Sequence, residues 1–265
     1  AWTNLMGDPA LHLWTDTPQN FMVDGLSSQL QIGTNHMNLT ISNTHGELVE
    51  NARVTLLMGD DVIFESNYTD SSGNVSFNWN NTDEAGILYV TVTKKNYRPL
   101  EDSVNINGDY AIDYILEEGF DANSGTDCSM PLISIQSIGI EPITSLNGTL
   151  SSPSDLVVVN NGTSEWDLEN GQWNQNNTPF TISLSEQAVY GDDLNLILSL
   201  VDENNHSWEI YIPFMINSPK LDIIDFLTSD VPMPGETVDV FLQIQNNGNL
   251  ESQGTEGFLS STSNL

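Results

Sequence analysis

A single cysteine, Cys128, stands in the 265-residue sequence. No internal disulfide can form, so any fold rests on its core and its backbone hydrogen bonds. Positive charge is almost as scarce: 5 Lys and Arg face 37 Asp and Glu, for a formal net charge of -32. A surface of that sign repels nucleic-acid phosphates and anionic lipid, so neither is an expected partner. It suits a saline exterior, where ~1 M salt shortens the Debye length to ~3 Å and like charges repel less. No apolar run approaches the ~20 residues of a membrane-crossing helix, so the chain is not expected to be membrane-spanning. No positively charged segment leads into an apolar one, so no signal peptide is read. The histidines His12, His36, His45 and His206 are far apart, and none has zinc-ligand spacing. A Gly-rich phosphate loop and a Ser-His-Asp order in motif context are missing as well.

What is present alternates. From Val54 to Tyr97, apolar residues recur at every second position, bounded by Gly, Asp and Asn. Val54 and Leu56, Val62 and Phe64, then Val75, Phe77 and Trp79, then Leu88, Val90 and Val92 line successive faces. Strands with one buried face require this period. The stretch reads as an antiparallel meander, turning at Gly59-Asp60-Asp61 and at Asp70-Ser71-Ser72-Gly73. The acidic pairs Asp60-Asp61 and Asp192-Asp193 read as solvated turns rather than acid/base carboxylates, since adjacent side chains point apart.

Hydrophobic residues make up 38% of the chain, enough for several modest cores rather than one large one. The expected fold class is all-β, tandem immunoglobulin-like β-sandwich domains with the last one incomplete. Residues 1–23 read as the tail of an upstream domain and 24–118 as a first sandwich closed by Val104, Ile106, Ile112, Tyr114 and Leu116. Residues 119–131 read as a linker. A second sandwich spans 132–218, with Trp166 in a polar loop. There a hairpin sets Leu194, Leu196, Leu198 and Leu200 against Trp208, Ile210, Ile212 and Phe214. A truncated third module covers 219–265. Leu39-x-Ile41-x-Asn43…Gly46-x-Leu48 parallels Leu242-x-Ile244…Asn246…Gly248-x-Leu250, a repeat at domain spacing. The chain is expected to be a piece of a longer protein.

Few residues suggest chemistry. Asp121, Asn123 and Asp127 place oxygen ligands around Gly125, a candidate calcium site at an interdomain junction. The run lacks the closing Glu of an EF-hand loop, and a plain flexible linker is the preferred alternative. No other cofactor is expected. Cys128 lacks electropositive surroundings and reads as a small apolar residue rather than a nucleophile. Lys94, Lys95 and Arg98 read as a turn rather than an anion site. Trp79 and Tyr97 read as core or rim aromatics, with a sugar-stacking pair as the alternative. Asn-x-Ser/Thr sequons at Asn38, Asn67, Asn74, Asn80, Asn147, Asn161, Asn176 and Asn205 fit an outside address, though a chain rich in these residues produces about that many by chance.

Several stretches carry a resemblance. Asn4-Leu5-Met6-Gly7-Asp8-Pro9, followed by Leu13-Trp14-Thr15-Asp16-Thr17-Pro18, resembles the end of the catalytic domain in gingipain-type secreted cysteine peptidases. There a short strand leads into an immunoglobulin-like domain. Thr69-Asp70-x-x-Gly73-x-Val75-x-Phe77 and Val90-Thr91-Val92-Thr93-Lys94-x-x-Tyr97 resemble that following domain. The order of elements from Leu150 to Pro219 resembles the repeated immunoglobulin-like modules downstream in the same secreted proteins, and Pro234-Gly235-Glu236-Thr237…Asn246-x-Gly248-Asn249 resembles the signature of bacterial and archaeal immunoglobulin-like surface modules. The second module departs from that pattern, lacking a Pro-Gly-Glu strand between Met130 and Leu150. The resemblance implies an upstream catalytic domain of the same chain as partner, with the family's Cys and His before Ala1.

The first expected function is therefore a non-catalytic stalk or accessory region of an extracellular or cell-surface gingipain-like cysteine peptidase. The alternative is an adhesive or carbohydrate-binding surface module. Trp14, Trp79, Trp166, Trp173 and Trp208 would supply stacking faces toward a cell-envelope glycan, or the partner would be a protein. This segment is not expected to be an enzyme itself.

Overall fold

The computed structural model describes residues 15–116, 120–169, 171–231 and 237–258. The tail motifs before Thr15 and the Pro-Gly-Glu at 234–236 lie outside the described residues. The chain is all-β and builds tandem immunoglobulin-like β-sandwiches, the last of them incomplete. Among the described residues no helix is long and apolar enough to cross a membrane.

The first sandwich has eight strands: β1 (Phe21–Asp24), β2 (Gln29–Gln31), β3 (His36–Asn43), β4 (Arg53–Met58), β5 (Ile63–Tyr68), β6 (Asn74–Asn78), β7 (Gly86–Thr93) and β8 (Leu100–Asn107). One sheet has the order β1-β3-β6 and the other β2-β8-β7-β4-β5. Val54, Leu56, Leu88, Val90 and Val92 are fully buried between them, as alternation requires. The meander expectation needs correction, because β6 crosses to the opposite sheet and β7 returns to pair with β4. Period-two burial says which face a residue takes and nothing about which strand lies beside it. A second correction concerns phase: Ile63 is buried while Phe64 is 57% exposed. The turn at Gly59–Asp61 holds Asp60 and Asp61 at φ 52° and 60°, and the register sets Ile63 beside Met58 and Phe64 beside Leu57. The turn at Asp70 follows from its side chain, whose Oδ1 accepts the Ser72 and Asn74 N–H groups at 2.8 Å.

The tail boundary also moves. Phe21 pairs within the first sandwich through β1, and its ring stacks on Tyr97 at 4.6 Å.

The second sandwich draws on twelve strands: β9 (Ile112–Ile115), β10 (Asp121–Asn123), β11 (Asp127–Ser129), β12 (Ser134–Ser137), β13 (Ser145–Ser151), β14 (Val157–Asn161), β15 (Thr163–Asp167), β16 (Asn174–Gln175), β17 (Thr181–Leu184), β18 (Leu196–Asp202), β19 (Ser207–Ile212) and β20 (Met215–Asn217). The sheet β15-β13-β18-β19 lies in one core with β16-β12-β9 and β11-β17-β14. The strand Ile112–Ile115, expected to close the first sandwich, pairs instead with β12 of the second. The expected linker carries two paired strands, β10 beside β20 and β11 beside β17. Its polar composition hid them, because short edge strands need few buried side chains. Trp166 is a strand residue, not a loop residue: Ser164, Trp166 and Leu168 turn inward while Glu165 and Asp167 face water. Gly148, diagonally across on β13, leaves room for the indole, since a Cβ there would lie 2.5 Å from Trp166 Cζ3. The hairpin of β18 and β19 has the expected facing pairs, Leu196 with Ile212, Leu198 with Ile210 and Leu200 with Trp208.

The third stretch forms the hairpin of β21 (Leu221–Thr228) and β22 (Val240–Asn246), exposed along both strands. The repeat noted in sequence has a shared turn chemistry. Asn43 Oδ1 accepts His45 N–H at 2.9 Å, and Asn246 Oδ1 accepts Gly248 N–H at 3.0 Å.

Candidate functional site

The first two sandwiches meet at a junction held by several backbone and side-chain hydrogen bonds. It is built on the loop Ile32-Gly33-Thr34-Asn35, which joins β2 to β3. The carbonyl of Ile32 accepts two donors from the second sandwich, Trp208 Nε1 at 3.0 Å and Ile112 N–H at 3.2 Å. Asn35 brackets β19: its N–H donates to Glu209 O at 3.0 Å, and its Oδ1 accepts Tyr211 N–H at 2.7 Å. Its carbonyl meanwhile accepts Trp79 N–H from the first sandwich at 3.0 Å. One loop thus satisfies backbone groups of both modules, which a flexible connection would leave to water.

Gly33 makes the approach possible. Its φ is +106°, and a Cβ would lie 2.5 Å from Ile112 Cγ1 and 2.7 Å from Ile112 O. Only glycine takes that conformation without strain and admits that neighbour. The crossing segment is held from the other side too. Asp109 O accepts Glu141 N–H at 2.9 Å, and Ala111 O accepts Ile138 N–H at 2.9 Å. Tyr110 stacks on His206 at 3.7 Å between ring centroids. The His206 ring is fixed in turn by the buried Asp202 carboxylate at 2.8 Å.

The residues singled out in the sequence scatter around this junction. Trp79 is a core residue, and Tyr97 is committed to Phe21, so the two do not form an open stacking pair. Trp166 and Trp208 are fully buried, each donating its indole N–H to a backbone carbonyl, Ile133 and Ile32 respectively. Trp14 lies outside the described residues. Trp173 alone of the five is open among the described residues, at 42% exposure. Lys94 to Arg98 form the β7–β8 corner, where Asn96 Oδ1 accepts Thr15 N–H and the Lys94 ammonium donates to Glu50 O.

Asp121 and Asn123 sit on β10 and Asp127 on β11, strands of different sheets. Asp127 Oδ1 accepts the Ser183 hydroxyl at 2.6 Å, and Asn123 O accepts that of Thr126 at 2.6 Å. Among the described residues no group of three His, Cys, Asp or Glu side chains is gathered around a common point. Cys128 pairs with Ile182 on β17; burial and the nearby Asp121 carboxylate push its thiol up, away from the thiolate a nucleophile needs. Of the sequons, Asn176 is 2% exposed, its amide holding Ile133 N–H, Thr178 O and Ser164 Oγ. It is a structural bond-former, closed to modification in the folded chain.

Sequence inspection missed Gly33 and Asn35. Gly33-Thr34-Asn35 is a short polar stretch between the apolar residues Ile32 and Met37, and nothing in its composition points to a partner as distant as Trp208.

The sequence matches no family model and no curated protein. Among solved structures it is similar to Escherichia coli alpha-2-macroglobulin activated by porcine elastase, at 11% identity and a TM-score of 0.31, over 80% of this chain and 23% of that one. It is also similar to a mutant of Salmonella alpha-2-macroglobulin, at 9% identity and a TM-score of 0.28, over 86% of this chain and 17% of that one. The chain spans less than a quarter of either, and likeness at that level carries no functional argument.

Proposed function

We propose that this chain is a non-catalytic accessory region that holds a catalytic domain of the same protein at a set position. The parent would be a secreted or surface cysteine peptidase of gingipain type. The observation that carries the spacing role is the junction: Ile32, Asn35 and Trp208 bond two sandwiches through buried groups, with Gly33 letting the backbones meet. A spacer works only if its joints resist bending, and buried, satisfied hydrogen bonds provide that resistance. The peptidase assignment rests on the resemblance of residues 4–18 and of the turn at Thr69–Phe77. The coding sequence ahead of Ala1 tests it: a His and a nucleophilic Cys in an α/β domain support it, and any other domain type rejects it. Peptide hydrolysis by this chain alone, lost on Cys128→Ala, would reject the non-catalytic role.

A second reading is favoured by one observation. Trp173 is exposed, offering an aromatic face able to stack on a sugar. Quenching of tryptophan fluorescence by a cell-envelope polysaccharide, abolished by Trp173→Ala, would support adhesion; no quenching would remove it.

A further inference from the structure

The outer face of the five-stranded sheet in the first sandwich carries an apolar platform. Strands β5, β4, β7 and β8 are successive neighbours in that sheet. Phe64 on β5 lies beside Leu57 on β4, and Leu57 lies beside Tyr89 on β7. Ile87, two positions from Tyr89, shares the face. All four are exposed, while Leu56, Met58, Ile63, Leu88 and Val90 between them turn into the core. Single exposed apolar residues are ordinary on a protein surface, but here the register sets two rings and a leucine in one row across three strands.

Charge and area narrow the occupant. In a chain of net charge -32, the side chains in phase with this row on β4, β5, β7 and β8 include one carboxylate, Glu101, and one guanidinium, Arg53. Hydroxyls and amides take most of the other positions. Thr91, Ser103 and Asn105 make no side-chain hydrogen bond among the described residues. The Thr55 and Ser66 hydroxyls bond each other at 3.2 Å, and Ser66 Oγ also accepts Arg53 Nε at 2.9 Å. Two strand spacings of ~4.8 Å by one same-face step of ~7 Å set the base of the platform at roughly 10 Å by 7 Å. That falls far short of the ~800 Å² each partner buries in a stable protein complex. A second copy would also bring the same net negative charge to a face with one cation to meet it.

A sugar chain needs less area and no charge. Its rings present apolar C–H faces that stack on aromatic side chains, and hydroxyl edges that pair with Thr, Ser and Asn. In an extended β-1,4-linked chain, successive rings advance by about one strand spacing. We propose that this face binds a neutral, extended β-1,4-linked glycan lying across the strands. Alternate rings stack on Phe64 and Tyr89, and the ring between them covers Leu57. Glu101 on the face, with Asp60 and Asp61 in the turn at its end, repels uronic-acid and sulfated chains. The site uses neither a residue of the spacer junction nor Trp173, so it stands or falls apart from both readings above.

The test is calorimetric titration of the whole chain with cellohexaose and chitohexaose, and with hexagalacturonate as the acidic comparison. At least one neutral hexamer is expected to bind, equally in ~0.05 M and ~1 M NaCl, and hexagalacturonate to give no heat in ~0.05 M NaCl. Phe64→Ala and Tyr89→Ala should each weaken binding about tenfold while keeping the native circular dichroism spectrum. Tyr89→Phe should retain it. Tyr68→Ala, which removes an exposed ring on the same face but off the row, should leave it unchanged. No heat from either neutral hexamer, tighter binding of hexagalacturonate, or binding that survives Phe64→Ala and Tyr89→Ala would overturn the proposal. Loss of binding in Trp173→Ala alone would overturn it in favour of that residue. Concentration-dependent dimerisation abolished by Phe64→Ala would overturn it in favour of a second copy.

Discussion

The indole N–H of Trp208 donates to the carbonyl of Ile32 at 3.0 Å, joining residues 176 positions apart. Both partners are buried, and the same carbonyl also takes Ile112 N–H, so the bond ties the core of the first sandwich to that of the second through buried groups. Trp208→Phe removes the donor and part of the ring but leaves Ile112 in place. The expected cost is about 1–3 kcal/mol. Denaturant titration should then show two transitions, against the single one expected of these modules in the native chain, with Trp166 still reporting on the second.

Gly33→Ala should be at least as damaging, although it adds only a methyl group. The added Cβ meets Ile112 at 2.5 Å, and alanine at φ +106° is strained before any contact is counted. A loss of about 1–3 kcal/mol is expected from the backbone alone. Unfolding midpoints of Gly33→Ala and of Gly46→Ala would separate site from residue type. Both have positive φ, but a Cβ at Gly46 meets nothing within 4 Å, so the difference between them reads the junction.

Alkaline pH should weaken the fold through Tyr211. Burial, then the Asp193 carboxylate, then its hydrogen bond to that carboxylate push the phenol up to about 12. Below the ordinary tyrosine value of ~10 both states keep the proton, and the contribution is complete. Between ~10 and 12 the unfolded chain ionises first, so stability falls. Tyr114, raised by burial and by Asp113, adds to the same decline. Urea midpoints at about pH 9 and pH 11 should differ for the native chain and differ less for Tyr211→Phe.

Calcium should leave the thermal midpoint unchanged. Asp121 and Asp127 lie on strands of different sheets, and Asp127 already holds Ser183. A rise in midpoint with calcium, reversed by chelator and lost in Asp127→Asn, would show that the three oxygen donors converge after all.

Period two made most of the fold legible. Leu88, Val90 and Val92, and the facing pairs of β18 and β19, lie where alternation puts them. Partnering was not legible: nothing in Val75-x-Phe77 says that it joins β3 rather than β5 or β7. Strand choice depends on contacts far apart in sequence, and a single sequence carries no direct record of those. The polar run from Asp121 to Ser129 hid two strands because backbone pairing needs no apolar side chain. The junction was the least legible part, since Gly33 and Asn35 act through backbone geometry and through a tryptophan 176 positions from its acceptor. Tryptophan content alone also suggested more sugar-stacking faces than exist, because Trp166 and Trp208 satisfy their own indole nitrogens inside the core.

The stiffness of the junction is open to one direct measurement. Nitroxide labels at Tyr68→Cys and Val158→Cys, both on exposed residues at 60% and 62% and in a Cys128→Ser background, report the distance between the first two sandwiches. Double electron–electron resonance is expected to give a single narrow distribution in the native chain and a broadened one in Trp208→Phe. A broad or multimodal distribution in the native chain would contradict a rigid spacer, whatever the hydrogen bonds at Ile32.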